Sequence, residues 1–279
     1  MFVSEHFPQA QKIETFAGNA YCCAFGNRLE AFRVTKMRTE NNMIGIIVPA
    51  HNEAAHIGAC VKAAKRAANH PQLLGEDVRV IVVVDHCTDD TPAIAEALGA
   101  DVICVSARNV GVARAEGARH ALSWGARWLA FTDADSVVAD DWLVRQLDCC
   151  ADVVCGVICI HDWSPHLAAV REHFARTYTD ADDHRHIHGA NMGVSAQAYL
   201  RVGGFAPLEH SEDVALVEAL IADGALVAWS AAPRVVTSAR TDFRAMKGFG
   251  ATLVDVSRRY FSAASASATA VDEDGVLAA

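Results

Sequence analysis

From Met43 onward, short apolar runs alternate with stretches in which apolar residues recur every three to four positions. The runs MIGIIV (43–48), VRVIVVV (78–84), DVICV (101–105) and WLAF (128–131) have the length and β-branched content of buried strands. After the first run, Ile57, Cys60, Val61, Ala64 and Ala68 fall on one helical face, as a crossover helix packed on a sheet requires. Thr91 before Pro92 predicts an N-cap with Pro at the first helical position, and Gly99 a C-terminal stop. A third helix is predicted from about Val110 to Trp124, ending at Gly125. Strand and helix in such alternation give an α/β fold, a Rossmann-like, mostly parallel sheet flanked by helices. Ligands of such sheets sit beyond the carboxyl ends of the strands.

The second half is less regular. Residues 141–151 read as a helix, 152–160 as a strand and 165–178 as a helix, followed by the polar stretch TDADDHRHIHGANMGVS (179–195) and a short helix ending at Gly203 and Gly204. Ser211 is placed to cap a helix running through Ala222, and LVAWS (226–230) and RVVT (234–237) are strand-like. The pattern divides the chain into an N-terminal extension without clear period (1–42), the α/β domain (43–240), an amphipathic helix (241–261) and a small, polar tail expected to be disordered (262–279). The amphipathic segment sets Arg244, Lys247, Arg258 and Arg259 beside Phe243, Met246, Phe249 and Leu253. Packing on its own domain is the favoured reading, with peripheral membrane contact as the alternative.

Composition narrows the function classes. Hydrophobic residues make up 52% of the 279 and charged residues 21%, which excludes disorder for the bulk of the chain. A formal charge of −10 repels a phosphate backbone, so nucleic acid is not an expected partner. No apolar run reaches membrane-spanning length, and the first residues lack the basic and apolar regions of a signal peptide, so a cytoplasmic location is expected. Most of the nine cysteines are expected to be reduced. Cys149, Cys150, Cys155 and Cys159 lack paired C-x-x-C spacing and read as small hydrophobes around a strand rather than as zinc ligands.

The most informative local signal is TDADS (132–136), directly after WLAF. Asp133 and Asp135, at i and i+2 beyond a strand, suit a hard divalent cation that completes its shell with diphosphate oxygens and water. A capped turn is the alternative. The other strand ends are polar as well: VPAHNE (48–53), VDHCTDDT (84–91) and SARNVGVARAEGA (106–118). Four polar junctions in succession favour a site over ordinary loop polarity, and RNVGVARA offers backbone N–H groups and an arginine to an anion. His184, His186 and His188 form H-x-H-x-H, which reads as solvated loop in preference to zinc, with His188 nearest the pocket because it abuts Gly189. His161, Asp162 and Trp163 follow a strand and can form an acceptor platform, unless Trp163 packs on the core.

In this order and spacing, VPAHNE, VVVDHCTDDT, ARNVGVARAEGA, FTDADS, HGANMGVSAQAYLRVGGF and SEDVALVEAL resemble the family-2 glycosyltransferases of the GT-A fold, over about Met43 to Arg240. The resemblance implies that Pro49, Ala50, Asn52 and Glu53 border the nucleotide and that Asp85 meets the base. Asn109, Gly111 and Arg114 would lie near ribose and diphosphate, Asp133 near the ribose and the metal, and Asp135 as the stronger ligand of Mg²⁺ or Mn²⁺. Gly189, Ala190 and Asn191 would line the donor-sugar pocket, and Asp213 would be the catalytic base of an inverting enzyme. That enzyme would move a sugar from a nucleoside-diphosphate donor to an acceptor hydroxyl. The base-binding block departs from the family's usual D-D-G-S-T-D, with Val84 and His86 at two of its places. The late histidine that many relatives supply to the metal is missing between Arg234 and Arg240, so that either water fills that position or Arg240 takes over some of the diphosphate charge. Two alternatives stand beside this reading: a sugar-nucleotide nucleotidyltransferase, and a catalytically inactive sugar-nucleotide-binding protein.

Overall fold

The computed structural model describes residues 43–242 and 249–272. The apolar runs become four parallel strands, β1 (Met43–Ala50), β2 (Asp77–Asp85), β3 (Asp101–Val105) and β4 (Ala126–Phe131), ordered β3-β2-β1-β4. Helices α1 (Ile57–Ala68), α2 (Thr91–Ala97) and α3 (Val110–Ser123) make the crossovers. Asp90, not Thr91, holds the N-cap position of α2. Thr91 is drawn inward as the first helical residue, because its hydroxyl accepts from the Glu53 N–H (2.7 Å) and donates to Asp89 (2.6 Å). Gly99 ends the turn after α2 with φ +77°, and the Ala100 N–H reaches back to the Ala95 carbonyl at 3.1 Å.

The remaining elements are β5 (Val137–Val138), α4 (Trp142–Asp148), β6 (Val153–Cys159), α5 (Ala168–Thr177), β7 (Met192–Ser195), α6 (Ala196–Arg201), α7 (Glu212–Ala222), β8 (Val227–Val236) and α8 (Phe249–Asp272). They extend the sheet to the order β3-β2-β1-β4-β7-β6-β8-β5, with β7 antiparallel to both β4 and β6. β7 lies inside the stretch read as purely polar, and the two strand-like segments 226–230 and 234–237 are one strand, β8, with an irregular register opposite Gly156 and Val157. Ser211 stands at the N-cap of α7 in a left-handed conformation (φ +59°) and makes no capping bond, so acidic Glu212 and Asp213 complement that helix end instead.

Alternation along β1 divides the core. Ile44, Ile46 and Val48 face a layer containing α1 residues Cys60, Val61 and Ala64 and α4 residues Trp142 and Leu143. Ile47, with Ile81 and Phe131, faces α3, α6 and α7 through Ala118, Tyr199 and Leu220. Both faces are thus sealed, and polar groups are left to the strand ends. The thiols are free among the described residues; Cys155 is fully buried in β6, which pushes it up to about 12. Helix α8 begins at Phe249 and runs to Asp272, through most of the tail expected to be disordered, where an alanine-rich sequence favours helix. Its Leu253 packs with Ile160, Val170 and Trp163, so the amphipathic face meets its own domain and Trp163 belongs to that core. The extension 1–42, residues 243–248 and residues 273–279 lie outside the described residues.

Candidate active site

The loops after β1, β2 and β3 are tied into one rim. Asn52 accepts from the Thr88 N–H (2.7 Å), and Asp89 accepts from the Ala54 N–H (3.0 Å). Asn52, His86 and Arg108, one in each loop, hold positive φ of 53°, 55° and 52°, a conformation that non-glycine residues adopt at some cost and that clusters at functional sites. Asp85, at the end of β2, is 5% exposed. Its Oδ1 accepts from the N–H groups of Ala107 (2.8 Å) and Arg108 (2.9 Å), and its Oδ2 from that of Asn109 (2.8 Å). The carboxylate expected at the base is therefore engaged in shaping the loop after β3. Groups beside it that the sequence reading passed over are His51, whose Nδ1 lies 2.6 Å from the Asp85 carbonyl, and Arg108, whose Nη2 lies 2.6 Å from His86 Nε2.

Asn109 caps α3 by accepting from the Val112 N–H at 2.9 Å, and one turn on, Arg114 points from the same helix into the sheet edge. Arg114 is buried and donates to Asp133 at 2.6 Å and to Glu212 of α7. Gly111 lets α7 approach, since a Cβ there would stand 3.0 Å from the Glu212 side chain. A second arginine completes the picture. Arg240, beyond β8, donates to both oxygens of buried Glu53 (2.6 and 2.7 Å) and lies 3.3 Å from Asp135. A bond from Ser136 to Thr237 (2.9 Å) holds the end of β8 against the turn that carries both aspartates.

Each D-x-D carboxylate thus faces its own guanidinium. Burial first, then the charges of Asp133 and Glu53, push the Asp135 carboxyl up to about 6 although Arg240 opposes them. No three His, Cys, Asp or Glu side chains converge as a metal cage among the described residues. Two carboxylates completed by phosphate and water remain a suitable donor set for Mg²⁺ or Mn²⁺.

Asp213 sits in the first turn of α7. Its Oδ2 accepts from the Gly189 N–H (2.8 Å) and its Oδ1 from the Val214 N–H (2.9 Å). Gly189 is required there, because a Cβ would fall 2.3 Å from Arg114 Nη2. Asn191 is different. Fully buried, it donates to the carbonyls of Val157 (2.7 Å) and Pro233 (2.9 Å) and accepts from the Trp142 indole (2.8 Å). Its amide is consumed in joining β6, β8 and α4.

A model of the family described as glycosyl transferase family 2 matches residues 45–205. The chain belongs to glycosyl transferase family 2. Among solved structures, this family-2 chain is similar to S. aureus TarS 1-349 in complex with UDP-GlcNAc, at 16% identity and TM-score 0.56, covering 74% of this chain and 61% of that one. It is also similar to the mannosyltransferase PcManGT from Pyrobaculum calidifontis in complex with GDP-Man and Mn²⁺, at 19% identity and TM-score 0.56, covering 73% and 59%. The likenesses establish the GT-A fold. The chain spans 36% to 61% of the lengths of the TarS chains it matches. No curated protein matches it significantly in sequence.

In this family-2 fold the predicted residues separate into two groups. Glu53, Arg114, Asp133, Asp135, Gly189 and Asp213 come together through the contacts above. Pro49 and Ala50 are buried within β1, and Ala190 is 7% exposed, so their side chains are not open to solvent. The histidines are not a solvated loop. His184 is buried, and the His186 ring stacks on Tyr178 at 4.1 Å and on His184 at 5.3 Å. Tyr178 Oη accepts from the Ile158 N–H, which leaves its own proton for His188 Nε2 at 3.1 Å. Burial and the neighbouring His186 hold His188 down to about 4, hence neutral.

Proposed function

We propose that the protein is an inverting glycosyltransferase that moves a sugar from a nucleoside diphosphate to an acceptor hydroxyl with the aid of Mg²⁺ or Mn²⁺. The observation that carries this reading is the position of Asp213, linked through Gly189, Arg114 and Glu212 to the D-x-D turn. The base and the diphosphate end of the site are thereby held at one sheet edge. The same reading is supported by the sugar nucleotides in the similar structures, UDP-GlcNAc with TarS and GDP-Man with PcManGT.

Asp135, with Asp133, would hold the cation, which would offset the negative charge that develops on the departing diphosphate. The remaining work falls to the chain itself. Two backbone N–H groups orient the Asp213 carboxylate in the first turn of α7, and each oxygen retains a lone pair for a proton. Asp213 takes the acceptor's proton as its oxygen attacks the anomeric carbon opposite the leaving diphosphate. A single displacement of this kind inverts the centre and needs no covalent nucleophile. No helix among the described residues is long and apolar enough to cross a membrane. The cytoplasmic location expected from the sequence remains part of this proposal.

The test is Asp213→Asn, which keeps the shape and cannot accept the proton. Turnover at saturating donor is expected to fall by about 10² to 10⁴, with nucleotide affinity in titration calorimetry within about threefold of the parent. Unchanged turnover, or an equal collapse of nucleotide affinity, would remove Asp213 from the role of base.

A further inference from the structure

The guanidinium of Arg240 spans two carboxylates, Glu53 through two hydrogen bonds of 2.6 and 2.7 Å and Asp135 at 3.3 Å. Asp135 is the residue on which a divalent cation would depend, and Arg240 lies in the segment, 234–240, that lacks the late histidine which many relatives, by the resemblance above, supply to the metal. A cation bound by Asp135 would lie close to a fixed positive charge. At such separations like charges repel strongly in a partly buried site. Glu53, 4% exposed, keeps both oxygens on Arg240 and so anchors the guanidinium whether or not Asp135 is engaged. Arg240 itself is not sealed in: its side chain retains 18% exposure, against 5% for Arg114.

We propose that Arg240 is a displaceable counter-cation of the donor site. In the cation-free protein it occupies the Asp135 carboxylate and competes with the divalent ion. When ion and nucleotide load together it gives up Asp135 and, still anchored on Glu53, presents its freed N–H groups to the diphosphate. A guanidinium suits both tasks, because it carries five donors in a fixed fork and pairs equally with carboxylate and phosphate. The site would then bind free metal weakly and metal with nucleotide strongly, which couples cation capture to the arrival of a nucleoside diphosphate. The inference rests on the donor chemistry proposed above and assigns its positioning to a residue of this chain.

The experiment measures Mn²⁺ binding by the electron paramagnetic resonance of the free ion, with and without UDP or GDP, on the parent, Arg240→Gln and Arg240→Lys. Arg240→Gln is expected to bind Mn²⁺ alone about tenfold more tightly, and UDP or GDP in saturating Mn²⁺ about tenfold more weakly. Arg240→Lys, a point charge without the fork, is expected to lie between the two for both ligands. Opposite signs for metal and nucleotide are the signature, since loss of a merely structural strut weakens both. Mn²⁺ affinity in Arg240→Gln equal to or below that of the parent overturns the proposal. A parent that binds neither UDP nor GDP at any Mn²⁺ concentration overturns the donor reading instead, while the metal arm still decides the competition at Asp135.

Discussion

The two arginines of the site perform similar chemistry in unlike surroundings. Arg114 is buried between Asp133 and Glu212, and the neighbouring Asp213 adds to the charge that holds it protonated against desolvation. Arg240 is partly open and shares its charge between Glu53 and Asp135. The first pair of contacts is a strut: its removal strands several carboxylates in a place with little water. In the second only the contact with Asp135 can be exchanged, because solvent, cation or phosphate can replace the guanidinium there while Glu53 keeps it anchored. Burial, rather than charge, separates a structural ion pair from a functional one here.

The largest effect is expected from Arg114→Met. Removing one partner of a buried ionic cluster costs about 3–5 kcal/mol, to be measured as a drop in unfolding free energy in urea. A loss below about 1 kcal/mol would make Arg114 as replaceable as Arg240. Next is Gly189→Ala. Its methyl group must displace a guanidinium fixed by two carboxylates, at about 1–3 kcal/mol as in other overpacked sites, and the same melts should show it.

Asp135→Asn should act in the opposite direction. With its carboxyl pushed up to about 6, against about 3.9 in an unfolded chain, Asp135 binds a proton in the folded state that the unfolded state releases. Its contribution to stability therefore falls as pH rises from about 4 to 6. In the absence of cation and nucleotide, the variant is expected to be more stable than the parent by about 1–3 kcal/mol at pH 7 and no more stable below about pH 4. Thermal melts across that range check the sign, and a destabilised variant at pH 7 would place Asp135 among the struts. The smallest effect sets the baseline. Arg66→Ala, which breaks an exposed pair with Asp140, should change stability by less than about 1 kcal/mol.

How much of this could be read from the chain depends on the range of the interaction concerned. The four parallel strands and their crossover helices were legible because each carries its own apolar period, and the packed faces of β1 repeat that period. The D-x-D turn stood out through residue type and neighbouring polar junctions, and Asp213 only through the resemblance of SEDVAL to a family block. β7 did not, since four residues, Met-Gly-Val-Ser, are too short to show a period and owe their strand geometry to β4 and β6 on either side. Arg240 and Glu53 lie 187 positions apart, so their pairing left no local trace. The hydrogen bonds of Asn191 and Asp85 were not legible for a related reason. A polar residue in a binding motif looks the same in sequence whether its hydrogen bonds go to a ligand or to the backbone around it, and here they go to the backbone.

The amide of Asn191 also bears on how the molecule is assembled in time. Its partners lie in Trp142, Val157 and Pro233, at 49, 34 and 42 positions' distance, and it fills a slot over Gly156 that any side chain would obstruct. A chain growing from its N-terminus can pair β1, β2, β3 and β4 as soon as residue 131 is available, because all four strands and the helices between them are then complete. The slot over Gly156 cannot close until residue 233 has been made. During the intervening synthesis, β4 presents an open edge where β7 will later pair. Vectorial folding of this chain therefore has a natural waiting point, and the closing of a single amide marks its end.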